Sequence, residues 1–497
     1  MDIALRTIAG GIAARVKRIS PAAGAILGVS ILACAVMHQR ISINSIDIAG
    51  HYTLVDYYST WWGPYADLHR IHWTMSQYPP LSHLFGAAIG WATGNPFVGM
   101  HFASLIFLSA IYVVLLKGAD HRNPLASLLT WITAATAIFL ISSYRVTFGK
   151  EIQGNYFYAQ IAGSAVSILI LFVLSKRVRS TLELVAVPAA VYVAGWLFPL
   201  AQLQLSIGMA SLWLLSAVRT WLTSRGLPIR ELAVGAAMLV LCAMAVRYHP
   251  IYGLMRSIAD NNAVIDTGAS IRFLVASAIL LLALSSWYGL LAARGRSPLT
   301  APYFLPAAGL AASIACITHY VAGLMTQSGS DYALLKHVFS VVTLFIVLLS
   351  CACGKFLARL NATSLRRLKS IPPLLALTTI SCVVVLITVY PSSQNAGHFI
   401  AQQKEARELA RTSPELHGAT SSQLRALSPL QNFILTAVDL RMRDDIAHAL
   451  TLEKKPPSQL PVFLLESIGS TPGHCAAFTG PTMMVVRASC AERALPR

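Results

Sequence analysis

Apolar runs of about 20 residues recur through the first 390 residues of this chain, each long enough for a helix to cross ~30 Å of hydrocarbon. Inside hydrocarbon every backbone N–H and C=O must find a partner within the protein, so repeated runs of this kind commit the chain to helices. Eleven are expected: Pro21–Met37, Pro96–Leu116, Leu125–Ile141, Tyr156–Leu174, Thr181–Phe198, Leu200–Leu222, Glu231–Val246, Phe273–Ala293, Ala301–Tyr320, Tyr332–Cys351 and Pro372–Val389. Composition agrees. Apolar residues make up 56% and charged residues 12%, against about 25% charged in soluble domains, too few to cover a water-facing surface. The fold class expected is an all-α polytopic membrane protein of about 11 (10–13) transmembrane helices.

The basic N-terminus (Arg6, Arg15, Lys17, Arg18) precedes the first run. Leu32-Ala33-Cys34 faintly resembles a lipoprotein cleavage site, but apolar sequence continues and many spans follow, so an uncleaved first span is expected. The loops sort by charge. One set carries Lys117/Arg122, Lys176-Arg177 with Arg179, Arg219/Arg225/Arg230, Arg294/Arg296 and the Lys355–Lys369 bases; the other carries Asp47, Asp56, Asp67, Glu151, Asp260, Asp266 and Asp331. The positive-inside rule makes the first set and the N-terminus cytoplasmic and the acidic set outward. The net charge of +18 is thereby explained by topology. Nucleic-acid binding would need bases clustered on one polar face, which the sequence lacks. Leu81–Thr93 is apolar but only about 13 residues, too short for an untilted span. It is read as re-entrant or interfacial; if it crosses, every later loop changes side.

Two domains follow: a membrane domain, 1–390, with an outward loop over 41–80, and a soluble extracytoplasmic domain, 391–497, α/β or α. The second is expected to be helical in its first half, with strands near Val462–Leu465 and Met483–Val486. Cys475 and Cys490 are its only cysteines, and an oxidising compartment would allow them to pair. The other six (Cys34, Cys242, Cys316, Cys351, Cys353, Cys382) lie in or beside spans and read as small apolar packers.

Three outward patches hold the polar chemistry. The first loop opens with Asp47-Ile48-Ala49-Gly50-His51-Tyr52, carries Asp56, Asp67, His69, His72 and many aromatics, and closes on Tyr78-Pro79-Pro80-Leu81. Its rings suit interfacial anchoring, and a helix lying in the headgroup region fits this stretch. Asp47 stands beside a span end, where low dielectric can tune a carboxylate as a base. His51, His69, His72 and His83 can be drawn as a metal site but are more simply interfacial or hydrogen-bonding, so no metal ligands are assigned; a requirement for a divalent cation stays open. The second patch is Ser142–Tyr158, with Arg145, Lys150, Glu151, Gln153 and Asn155. It reads either as a solvated loop or as a sugar and phosphate contact, since cations pair with phosphate oxygens and amides with sugar hydroxyls. In the third, Lys336 follows Tyr332 inside the start of an apolar run. An ionisable group there costs about 2.5–3.5 kcal/mol on insertion scales, which points to a functional partner or to snorkelling. No Walker loop, dinucleotide fingerprint or H-E-x-x-H occurs.

An acidic residue opening the first outward loop, a Pro-Pro-Leu close and an outward cation near a later span together resemble the GT-C membrane glycosyltransferases. That family includes protein O-mannosyltransferases, aminoarabinose transferases of lipid A and arabinofuranosyltransferases of mycobacterial walls. Many members carry Asp-Glu where this chain has Asp47-Ile48, leaving the base open between Asp47 and Asp56. The resemblance implies inverting transfer of a sugar from a polyprenyl-phosphate donor to an extracytoplasmic acceptor (envelope glycan, lipid or protein), in the cytoplasmic or inner membrane. Asp47 or Asp56 would be catalytic. Donor and sugar contacts would come from His51, Tyr78, Pro79, Pro80, His83, Arg145, Lys150, Glu151, Gln153, Asn155, Tyr332 and Lys336. Partners are the lipid-linked sugar, the acceptor and membrane lipids, not nucleic acid. A lipid-linked saccharide transporter or polymerase, or a non-enzymatic envelope-assembly protein, is the alternative. Transporters favour repeated halves and charges at mid-membrane; this chain shows no repeat.

Overall fold

The computed structural model describes residues 21–59 except 39, 42, 44 and 46; residues 78–360 except 155, 178–179, 254–264, 266 and 327–330; and 396–413, 420–422, 428–439, 463–466, 473–487 and 490. Among these, seven helices are long and apolar enough to cross a membrane: Pro96–Gly118, Tyr158–Ser175, Pro199–Ser224, Ile229–Arg247, Ile271–Ala293, Phe304–Thr326 and the run Asp331–Leu360. Three expected spans form shorter apolar helices, Pro21–Met37, Pro124–Leu140 and Glu183–Gly195. The eleventh, Pro372–Val389, lies outside the described residues.

The contacts divide the chain into two units. The first comprises 1–36, 104–151 and 159–390; the second comprises 37–103, 152–158 and 391–497. The composition change after Tyr390 is thus also a unit boundary. The tail, however, belongs with the first loop.

Within the first unit the helices meet through small residues. Gly354 sits so close to Thr130 and Ala126, and Gly309 to Ser285, that a methyl at either position would collide. Such approaches let helix backbones pack closely where water supplies no driving force. At one end, Thr300 N–H donates to Asp120 O (2.8 Å) and Arg122 N–H to Pro298 O (2.9 Å). These bonds fix residues 119–122 against 297–300.

In the second unit, Asp47–Ser59 is a helix buried almost throughout, from Ile48 to Asp56. It packs on Leu81–Thr93, which has the 13 residues expected. Gly94 ends that helix at φ 70°, a left-handed cap that glycine takes without a steric penalty. Asn95 Oδ1 then accepts from Phe97 N–H (2.9 Å) and opens the next helix at Pro96. A methyl on Gly99 would strike the backbone of Gly90, so the two helices touch backbone to backbone just past the turn.

The tail contributes the helix Gly397–Thr412 and a four-stranded sheet. The strands are β1 (Thr420–Ser422), β2 (Phe463–Glu466), β3 (Ala476–Thr479) and β4 (Met484–Arg487), in the order β1-β2-β4-β3. β1 runs parallel to β2, and the other pairs are antiparallel. β2 and β4 fall where strands are expected, so the tail is α/β. Cys475 is disulfide-bonded to Cys490 and packs with Met484 and Val486. Glu405 accepts from the backbone N–H and hydroxyl of Thr482, joining helix to sheet.

Candidate functional site

The first loop places two acids on one buried helix, and their surroundings differ. Asp47 is half-buried in its first turn, with Ser45 Oγ accepting from its backbone N–H (3.3 Å). Tyr78, at the close of the loop, feels the Asp47 carboxylate: its phenol is pushed above the ordinary value first by desolvation and second by that charge. The opening and the close, 78 − 47 = 31 residues apart, are joined through His51, one turn from Asp47, whose ring lies 5.3 Å from that of Tyr78.

Asp56 has another fate. It is 2% exposed and paired with the Arg407 guanidinium of the tail. Arg407 Nε also lies 3.8 Å from Asp439 Oδ1, and the Tyr52 hydroxyl donates to that same oxygen (2.5 Å). A carboxylate held by a partly buried guanidinium is stabilised as an anion. Of the two acids left open by the sequence, Asp47 is half-buried, and the buried Asp56 ties the loop to the tail. Phe97 extends this contact, ring to ring with Tyr52 (5.0 Å) and Phe399 (5.7 Å).

One helical turn beyond Asp47, His51 Nδ1 and His83 Nε2 share a hydrogen bond (2.8 Å), and His83 Nδ1 pairs with Pro79 O (2.9 Å). Tyr78 stands edge-on to both imidazoles. Pro80 caps the helix that carries His83. Tyr158 donates to Ser82 O (2.5 Å), and Tyr156 packs edge-on to His101 (5.2 Å). Tyr156 takes φ 52°, a left-handed conformation that costs a non-glycine residue of order 1 kcal/mol. Asp47, His51, Tyr78, Pro79 and His83 thus form one cluster. Sequence reading included Tyr156 and Tyr158 in the second patch without giving them roles. It missed His101.

The second patch is not a solvated loop. Residues 146–151 are buried in the first unit. Phe148 O accepts from the Tyr112 hydroxyl (2.6 Å), and Phe148 N–H donates to Thr343 Oγ1 (3.1 Å). Arg145 adopts φ 51° at the end of a 3-10 turn over Ser142–Tyr144. Lys150 falls from 10.5 to about 8, through desolvation first and the nearby Arg145 charge second. Glu151 is fully buried and rises from 4.5 to about 8 because burial disfavours its anion. Gly149 N–H donates to its Oε2 (2.7 Å), while Oε1 is buried without a hydrogen-bond partner among the described residues. Gln153 lies in the same short helix, Lys150–Gly154, with its side chain outside the described residues, as is Asn155.

Lys336 is not at the interface either. It occupies a break between the helices Asp331–Leu335 and Val338–Leu360 and is 3% exposed. Its ammonium lies 4.4 Å from the Tyr332 ring centre and 5.6 Å from that of Phe198, distances at which ring quadrupoles attract a cation. Gln160 Nε2 donates to Lys336 O (2.8 Å), and His337 pairs with His319 (3.4 Å). The helix Val338–Leu360 therefore supports both cationic groups of this unit, through Thr343 beneath Phe148 and through its first turn beside Lys336.

Among the described residues one group has metal-ligand spacing, His474, Cys475 and Cys490. The disulfide removes both thiolates from it. No protein-family model matches the chain, and no curated protein matches it by sequence.

Proposed function

We propose that the chain is a GT-C-type integral-membrane glycosyltransferase that moves a sugar from a polyprenyl-phosphate donor to an extracytoplasmic acceptor, with inversion. One cluster carries this reading: the half-buried Asp47 opens a helix whose His51 stands edge-on to Tyr78 (5.3 Å), beside the rigid Pro79-Pro80 turn. In the reaction the acceptor oxygen attacks the anomeric carbon and its proton passes to Asp47. The bond from that carbon to the phosphate oxygen breaks, and polyprenyl phosphate leaves. The resemblance, not a contact between the units, assigns Arg145, Lys150 and Lys336 to the charge gathering on the leaving phosphate. His51, Tyr78 and His83 shape the acceptor side. Membranes bearing Asp47→Asn should lose transfer of labelled sugar while retaining expression and insertion. Undiminished transfer by that variant would remove Asp47 from the mechanism.

Contacts within each unit support an outward site through a parity argument. The tail and the first loop share one side, because Arg407 meets Asp56 and Tyr52 meets Asp439. Residues 119–122 and 297–300 share a side, because their backbones bond. The crossings from the first loop to 119–122, added to those from 297–300 to the tail, must then be even. Phe304–Thr326 and Asp331–Leu360, with the Pro372–Val389 span expected from the sequence, count as three crossings and Pro96–Gly118 as a fourth, which supports reading Leu81–Thr93 as re-entrant or interfacial. A crossing by the short Glu183–Gly195 helix is supported in the same way, since Ser175–Arg177 lines one cavity with Ser216 and Arg219, near the end of Pro199–Ser224.

A proton-coupled transporter of lipid-linked saccharide is favoured by one observation, the buried Glu151 whose value near 8 lets it change charge around neutrality. Lipid analysis of a deletion strain separates the readings. A sugar-charged polyprenyl phosphate accumulates if a transferase is lost, and a complete glycolipid facing the cytosol if a transporter is lost.

A further inference from the structure

A second cavity, of about 400 Å³, lies in the first unit among residues the reaction above does not use. Its walls are Ser175–Arg177, then Leu212, Ser216 and Arg219 on the helix Pro199–Ser224, and the segment Thr300–Tyr303. Three loops far apart in sequence each bring either a cation or a rigid wall.

The construction is specific. Lys176 holds its ammonium 3.8 Å from the centre of the Phe172 ring, which aligns the start of the loop. Phe172 in turn packs edge-on to Phe304 (5.1 Å). The Thr300 wall is fixed from behind by its bond to Asp120 O and by the bridge between His121 and Leu299. Asp120 Oδ2 lies 3.5 Å from Lys117 Nζ, and its charge also reaches Lys176. Lys176, Arg177 and Arg219 surround the mouth, all exposed. Ser216 and Thr300 add hydroxyls, while Leu212, Ala301 and Pro302 make part of the lining apolar.

A guanidinium offers paired N–H donors that fit two phosphate oxygens at once. An apolar wall beside such a set suits a ligand whose anionic head continues into hydrocarbon. The segments also belong to the basic loops, where the positive-inside rule puts the cytoplasmic leaflet and its anionic lipids.

We propose that this cavity binds a phosphodiester headgroup, supplied by an anionic phospholipid of the cytoplasmic leaflet. Arg177 and Arg219 clamp the phosphate, Lys176 adds long-range attraction, and Leu212, Ala301 and Pro302 receive the glycerol and the first methylenes of the acyl chain.

Native mass spectrometry of the full-length protein tests this, with phosphatidylglycerol, phosphatidylcholine and inorganic phosphate presented in parallel. Arg177→Gln with Arg219→Gln removes both guanidiniums from exposed positions. Each cation near an anionic surface is worth about fivefold, so the pair should weaken phosphatidylglycerol retention roughly 25-fold. Phosphatidylcholine binding should be weak and unchanged by the substitutions. Equal retention of both lipids by the native chain would overturn the proposal, as would equal phosphatidylglycerol retention by the double variant. Saturable binding of inorganic phosphate that competes with no lipid would assign the cavity to a soluble phosphate and overturn the lipid source.

Discussion

Replacing Glu151 with glutamine isolates the cost of holding an acid in the protein interior. The Glu151 carboxyl is pushed up to about 8 in the fold from its ordinary 4.5. Between those two values the folded chain holds a proton that the unfolded chain releases, so stability falls as pH rises through the window. A difference of roughly 3.5 units at 1.36 kcal/mol each gives about 5 kcal/mol once pH exceeds the upper value. About 3 kcal/mol of that is already lost at pH 7, because the folded carboxyl is still mostly protonated there. Glutamine keeps the acceptor for Gly149 N–H and cannot ionise. Its buried amide N–H groups meet the same partnerless space as a protonated Oε1, so little new cost enters. Lys150 does not interfere. Its value is lowered from 10.5 to about 8, so the stability it withholds is constant below pH 8 and returns only as pH rises from there. Thermal midpoints of both proteins in one detergent, taken from pH 5 to 7.5, should therefore diverge. The native chain falls by several degrees relative to Glu151→Gln as pH rises, while both share the gain from buried histidines such as His83, lowered from 6.5 to about 4 by desolvation. Parallel curves over that interval would refute the burial argument and, with it, the case for a proton-coupled transporter.

Three further outcomes are expected. Arg407→Met strands the Asp56 carboxylate away from water and should cost about 3–5 kcal/mol, read as a lower thermal midpoint and faster proteolysis of the tail; an unchanged midpoint would mean that the pair is ornamental. Lys336→Ala should raise the donor concentration needed for half-maximal transfer by tenfold or more while leaving acceptor dependence alone, and a change confined to the acceptor would reverse that assignment. Cys475→Ser with Cys490→Ser opens a loop of 15 residues and should lower tail stability by about 3 kcal/mol. Thiol labelling of native protein in intact cells with and without reductant checks the oxidised state.

Much of the helical fold is legible in the sequence because a membrane leaves the chain few options. Ten of the expected apolar runs coincide with helices, and the 13 residues of Leu81–Thr93 are bounded by Pro80 and Gly94, both readable as punctuation. Lys336 was conspicuous because a cation inside an apolar run is expensive, although its resting place between Tyr332 and Phe198 depends on a helix break that no local signal announces. Ser142–Tyr158 is polar enough to suggest solvent, yet Phe148 buries it through bonds to Tyr112 and Thr343 that lie far away in sequence. Arg407 was overlooked for a similar reason. In Lys404-Glu405-Ala406-Arg407-Glu408 it reads as one more surface charge of a soluble helix. The usable clue lay at the other end of the chain, where Asp56 follows Leu54-Val55 on a helix with no base of its own.

The bond between Tyr52 and Asp439 spans 387 residues, so its two halves leave the ribosome at opposite ends of synthesis. Until the last fifth of the polypeptide emerges, the nascent loop carries an acid with no counterion and an aromatic face with no cover. A chain interrupted before Gly397 would thus keep Asp56 on the Asp47–Ser59 helix without the Arg407 guanidinium that meets it in the finished protein.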